Sequence, residues 1–112
     1  MRPLEGITVL TLEHAVAAPF CSRQLADLGA RVIKIERPGD GDFARSYDKH
    51  VRGLSSYFVW CNRSKESLTL DIKHPDAAEI LNKLVGMAEM KLLPYCARYD
   101  EHSLMPAIFA TA

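Results

Sequence analysis

Arg37 follows the strand-like run Arg31-Val32-Ile33-Lys34-Ile35-Glu36 and directly precedes Pro38, which stiffens the turn that carries it. A guanidinium fixed in this way suits a phosphate, because its planar fork offers paired donors to anionic oxygen. Arg45, Arg63 and Lys65 offer further cations, although each taken singly reads equally well as a solvated surface charge. Ala15, Val16, Ala17 and Ala18 stand just before Pro19, a good first residue for a helix. Small residues at a helix start leave backbone N–H groups open to an anion or a carbonyl. Glu36, closing that run, could meet ribose hydroxyls. A G-x-G-x-x-G turn is absent, however, and Cβ atoms at Ala15–Ala18 hinder close approach of a pyrophosphate, which argues against NAD or FAD.

Other reactive side chains are poorly grouped. Cys21, Cys61 and Cys96 are an odd count without a C-x-x-C pair, which suits neither zinc nor a disulfide framework and points to reduced thiols in a cytoplasmic protein. Cys21 and Cys61 read as packed thiols. His14, His50, His74 and His102 are scattered, so no metal site is expected, and His14 has no triad partner nearby. Asn62 and Ser64 can hydrogen-bond a ligand, but they also suit a plain turn before a strand.

The elements that must position these residues follow from periodicity. Ile7–Leu12 reads as a buried strand, Pro19 opens a helix capped by Gly29, and Arg31–Ile35 reads as a second strand. On the helix, Ala17, Phe20, Cys21, Gln24, Leu25 and Leu28 form the expected buried face, with Ser22, Arg23 and Asp27 opposite. The two strands should be parallel in a right-handed βαβ unit. Glu36–Asp42 is loop, Ser55–Cys61 a short, largely buried helix with a serine cap, and Ser67–Asp71 a third strand. From Pro75 a helix with Ala77, Ile80, Leu81, Leu84, Val85 and Ala88 inward is predicted, continuing to about Leu93. Beyond Met87 the periodicity is lost, and residues 87–112 are expected to form a divergent, poorly ordered tail.

The whole is an α/β chain with a Rossmann-like βαβ and parallel strands. Its 112 residues allow one small domain, and 14 Lys+Arg against 14 Asp+Glu argue against a nucleic-acid or membrane-surface binder. With 48% hydrophobic residues it is neither disordered nor a disulfide scaffold. No apolar run reaches the length of a signal-peptide core or a membrane span.

The order of segments carries more than any single motif. Leu25-Ala26-Asp27-Leu28-Gly29-Ala30, Val32-Ile33-Lys34-Ile35-Glu36-Arg37-Pro38-Gly39, Asn62-Arg63-Ser64-Lys65-Glu66-Ser67 and Leu70-Asp71-Ile72-Lys73-His74-Pro75 follow one another in a set order. From about Arg2 to about Val85 the chain closely resembles the N-terminal end of family III CoA-transferases, the formyl-CoA and carnitine CoA-transferase group. The resemblance implies that residues 1–86 are the incomplete N-terminal part of a larger domain. It implies that the loop Ala15, Val16 and Ala17 approaches coenzyme A and the acyl thioester, that Arg37 contacts the nucleotide end, and that Cys61, Asn62, Arg63, Ser64 and Lys65 lie at the same site. Formyl-CoA transferases carry a glutamine where this chain has Val16, which points to a different acyl substrate.

The implied partners are an acyl-CoA and a small carboxylic acid, with no metal. The implied reaction is attack by an aspartate carboxylate on the thioester, giving a mixed anhydride and then an enzyme-bound aspartyl-CoA thioester. None of Asp27, Asp40, Asp42, Asp48, Asp71, Asp76 and Asp100 matches that aspartate. Family members are interlocked homodimers. The family's next buried strand and N-x-x-P-G turn are not recognisable after Met87, so a truncated or frameshifted product is expected, inactive alone and unable to form that dimer. A non-catalytic CoA- or nucleotide-binding module is the alternative.

Overall fold

The structure, a computed structural model, describes residues 1–93 and 107–110. Strands run over Thr8–Leu12 (β1), Arg31–Glu36 (β2), Lys65–Thr69 (β3), Met90–Leu93 (β4) and Ala107–Ala110 (β5). Helices occupy Ala17–Asp27 (α1), Ser56–Asn62 (α2) and Ala77–Met87 (α3), with a 3-10 turn at Phe43–Ser46. They form one sheet of order β3-β2-β1-β4-β5. The first four strands are parallel, and β5 runs antiparallel to β4. The chain therefore steps outward from β1 to β3 and returns through α3 to the other flank of β1. Right-handed crossovers then put α1 and α2 on one face and α3 on the other, with the topological switch point beside β1.

Strand alternation sorts the side chains. Leu10, Leu12, Ile33, Ile35 and Leu68 meet Leu81, Leu84, Val85 and Ala88 of the α3 segment in one aliphatic layer. Toward α1, Val9 and Val32 pack with Ala26, Ala30 and Leu25. Farther along the same strands that layer turns polar, because Thr11, Lys34 and Glu36 are all buried there. Gly29 closes α1 with φ +107°, and a Cβ there would lie 2.6 Å from the Cβ of Arg2, so both conformation and space demand glycine.

Four local expectations are corrected. First, α1 starts at Ala17, two residues before Pro19, and its buried residues are Pro19, Ser22 and Ala26, while Phe20 and Leu28 are exposed. Small residues let the helix sit close to the sheet, and Ser22 turns inward because a buried carboxylate awaits it. Second, β3 begins at Lys65 rather than Ser67. The side chains it places on the Glu36 face, Lys65 and Ser67, are polar, so the strand lacks the apolar alternation by which strands are recognised. Third, α2 does have its serine cap, with the Ser55 Oγ accepting from Phe58 N at 3.4 Å, yet Tyr57 and Trp60 on it are exposed. Fourth, α3 stops at Met87, and Met90–Leu93 is a strand parallel to β1 where a continued helix was expected. Four residues with Lys91 among them and Pro94 after them are too short a run to show a period. The rest of the expected tail, with Cys96, lies outside the described residues apart from β5.

Candidate functional site

Around the carboxyl ends of β1 and β2 and the start of β3, polar side chains form one buried lattice. Lys34, on β2, is 1% exposed. Its Nζ donates to the Asp42 carboxylate and to Asn62 Oδ1 at 2.9 Å. Lys65, on β3, has a side chain 2% exposed and donates to Glu13 Oε1 at 2.7 Å, the Pro19 carbonyl at 2.8 Å and the same Asn62 Oδ1 at 3.0 Å. Asn62 Nδ2 donates to the Phe58 carbonyl, which fixes which way the amide faces. Ser22 Oγ donates to Glu13, which follows β1 directly. Two ion pairs are thus joined through one amide oxygen, with Lys34 from β2, Lys65 from β3 and Glu13 from the residue after β1.

Glu36 ends β2 and organises the loop behind it. It accepts a bidentate pair from Arg45, the hydroxyl of Ser67 and the backbone N–H of Asp42 at 3.0 Å. Gly41 makes the return possible: its φ is +65°, and a Cβ there would sit 2.5 Å from Glu36 Oε2. Burial alone would raise the Glu36 pKa, but donors from Arg45, Ser67 and Asp42 outweigh it and bring it down to about 2. Asp42 follows the same pattern, with burial opposed by Lys34 and by the N–H groups of Ala44 and Ala15, and its pKa falls below the ordinary value. Burial pushes the Lys65 ammonium down despite the Glu13 charge, and pushes the Cys61 thiol up.

The β1–α1 loop rests on this lattice. Ala15 has φ +65°, a left-handed conformation that costs a residue with a Cβ about 1–2 kcal/mol. Its N–H donates to Asp42 Oδ1 at 2.9 Å. Val16, at the cap position of α1, makes no side-chain cap hydrogen bond, and Ala17 is exposed in the first turn. Arg37 is exposed on the neighbouring rim. Its Nε donates to the Gly41 carbonyl at 2.9 Å, and its guanidinium lies 4.6 Å from the Phe43 ring centroid. His14 meets the other side of that loop, its ring 5.2 Å from Phe43. Arg37 and the β1–α1 loop therefore border one rim.

The residues expected at the site divide into two groups. Ala15, Val16, Ala17 and Arg37 gather at the crevice, and Ser64 is exposed with φ +64° at the start of β3. Cys61, at 0% exposure, and Asn62 and Lys65 point inward and hold the scaffold. Arg45 is bound to Glu36, and Arg63 to Asp27 at 2.8 Å, so among the described residues Arg37 is the cation of this rim outside any salt bridge. Sequence reasoning missed Glu13, Ser22, Lys34 and Asp42 as a unit. The available signal was a lysine inside Val32-Ile33-Lys34-Ile35, where a charge on a buried parallel strand must find a partner.

The fold and site define an α/β protein whose parallel sheet presents, at the carboxyl ends of β1 and β2, a shaped loop beside an exposed arginine. Residues 4–94 match the family described as CoA-transferase family III, and the chain belongs to that family. The match runs through β4, past Val85 where the resemblance was expected to end. Among similar proteins, succinyl-CoA:glutarate CoA-transferase of Mus musculus is 43% identical over 91 residues, 80% of this chain and 21% of that protein. Acetyl-CoA:oxalate CoA-transferase of Acetobacter aceti is 42% identical over 88 residues, 79% of this chain and 23% of that protein. Of the solved structures, the hypothetical protein Rv3272 from Mycobacterium tuberculosis superposes with a TM-score of 0.78 at 36% identity, over 87% of this chain and 26% of that one. A CAIB/BAIF family protein from Brucella suis gives 0.76 at 33% identity, over 84% and 26%. The chain thus spans about a fifth to a quarter of the length of these relatives. No helix among the described residues is long and apolar enough to cross a membrane.

Proposed function

We propose that these residues form the coenzyme A-facing part of a transferase that moves CoA between an acyl-CoA and a carboxylic acid. The observation that carries this is the rim itself: Arg37, exposed and outside any described salt bridge, stands beside a β1–α1 loop held in a set shape. A guanidinium suits the phosphates of CoA, and the small residues Ala15, Val16 and Ala17 leave room for a thioester to approach backbone N–H groups. Relatives named for succinyl-CoA with glutarate and for acetyl-CoA with oxalate support the class of reaction. They differ in acyl group, so the donor and acceptor of this chain stay open within that class.

Asn62 and Lys65 serve this site from behind, as supports of the loop, and Ser64 lies at its edge. The nucleophilic carboxylate belongs elsewhere. Asp42 is buried against Lys34, Asp27 is held by Arg63, and Asp48 accepts from Ser56 and His50. The thiols of Cys21 and Cys61 are free, which supports a reducing, cytoplasmic setting.

Calorimetric titration of the 112-residue protein with CoA tests the reading. Saturable binding is expected, weakened about ten-fold in Arg37→Ala, the loss of roughly one charge-assisted contact. Absence of heat from the parent protein removes the CoA reading. Turnover by the same protein in a transferase assay removes the statement about the nucleophile.

A further inference from the structure

We propose that Asp42 is a positioning residue for the CoA site: its carboxylate holds Ala15 in the left-handed conformation and so sets the shape of the β1–α1 loop. This rests on the CoA reading above. Each element of the device is visible. Asp42 is 1% exposed, and its two oxygens are divided between two tasks. Oδ2 takes the buried Lys34 ammonium. Oδ1 accepts from the backbone N–H groups of Ala15 and Ala44, each at 2.9 Å. Lys34 is itself anchored by Asn62, so the carboxylate cannot swing away without leaving an ammonium unpaired in the interior.

What it holds is a conformation that alanine does not choose. At φ +65° a residue with a Cβ lies in the left-handed region, where glycine is the usual occupant. Alanine there means that the surroundings impose the geometry. Asp42 is the one side chain among the described residues that bonds the Ala15 N–H. The next residues, Val16 and Ala17, open α1, so a rotation at Ala15 redirects their N–H groups and the entry of the crevice. Asp42 therefore touches no ligand and acts through Ala15.

The test combines amide hydrogen exchange with CoA calorimetry on the isotope-labelled 112-residue protein. In the parent, the Ala15 amide should exchange at least a hundred-fold more slowly than in an unfolded chain. Asp42→Ala should release that protection and weaken CoA binding at least ten-fold. Adding Ala15→Gly to Asp42→Ala should recover part of the affinity, about five-fold, since glycine enters the left-handed region without help. A merely structural aspartate would give no such recovery, and a rescue-free double variant overturns the proposal. Because Asp42→Ala strands Lys34 and can unfold the protein, Ala15→Val provides a second route. It leaves the ion pair in place, cannot hold φ +65°, and should cost at least ten-fold in CoA affinity with the thermal midpoint nearly unchanged. Undiminished CoA binding by Ala15→Val overturns the proposal. An Ala15 amide that exchanges freely in the parent overturns it whatever CoA does, whereas a protected amide without CoA binding overturns the CoA reading on which it rests.

Discussion

The two faces of the sheet are drawn from the same strands and held by different forces. Against α3, Leu10, Ile33, Ile35 and Leu68 meet leucines, a valine and an alanine, and contact area does the work. On the face toward α1 and α2, Val9 and Val32 pack with Ala26 and Ala30, but farther along the same strands Lys34, Glu36, Lys65 and Ser67 make directed hydrogen bonds in place of apolar area. Apolar contact is tolerant, since a neighbouring methyl can shift into a gap. A buried ionic lattice is not, since each missing partner leaves a charge without water. The tolerant face needs only to cohere, whereas the intolerant face has to hold a loop in a shape its own residues do not prefer.

That contrast can be broken most sharply at Lys34. Lys34→Met strands the Asp42 carboxylate and should cost about 3–5 kcal/mol in urea unfolding, a large part of the stability of a domain this size. Replacing both partners, Lys34→Met with Asp42→Leu, should restore most of it while leaving the Ala15 N–H without its acceptor. If the double replacement is as unstable as the single one, the lattice contributes stability outright and the contrast fails. On the other face, Leu10→Ala should cost about 2–3 kcal/mol, low in the range for a buried leucine because the half-exposed α3 can settle into the space.

Acid separates the faces without mutation. Glu36 has a folded pKa of about 2, below its unfolded value, so its contribution is present above the unfolded carboxylate range near 4.3 and is lost as pH falls toward about 2. Asp42 changes in the same direction. Urea midpoints should therefore drop between about pH 4.3 and 2, and less so in Glu36→Gln. The smallest effect belongs to Arg31→Ala. Its pair with Glu66 is more than half exposed on both sides, and the midpoint should stay within the scatter of replicate melts.

The aliphatic face was legible in the sequence, because alternation along Ile7–Leu12 and the spacing of Leu81, Leu84 and Val85 are what strands and helices require. The ionic face was concealed for the same reason. A strand whose Glu36-facing side chains are Lys65 and Ser67 has no hydrophobic period, and a helix that buries Ser22 and Ala26 while exposing Phe20 inverts the expected wheel. Arg37 and the β1–α1 loop were singled out through their neighbours in sequence, and the fold brings them to one rim. Asp42 was not found as their support, since its partners Ala15 and Lys34 are joined to it only by the return of the loop at Gly41. Periodicity reports burial of apolar surface, and it is silent about charges that are buried because they are matched.

The matching has a consequence at long range. Lys34 and Lys65 are balanced by Asp42 and Glu13 within one small volume, so the lattice as a whole carries no net charge. Seen from a Debye length away, about 8 Å at physiological salt, it is electrically silent. On the CoA reading proposed above, an approaching polyanion gains nothing from it until contact, and the guiding field comes from rim cations such as Arg37. That reading gives capture and shaping to different charges: dissolved salt weakens the first while leaving the second intact.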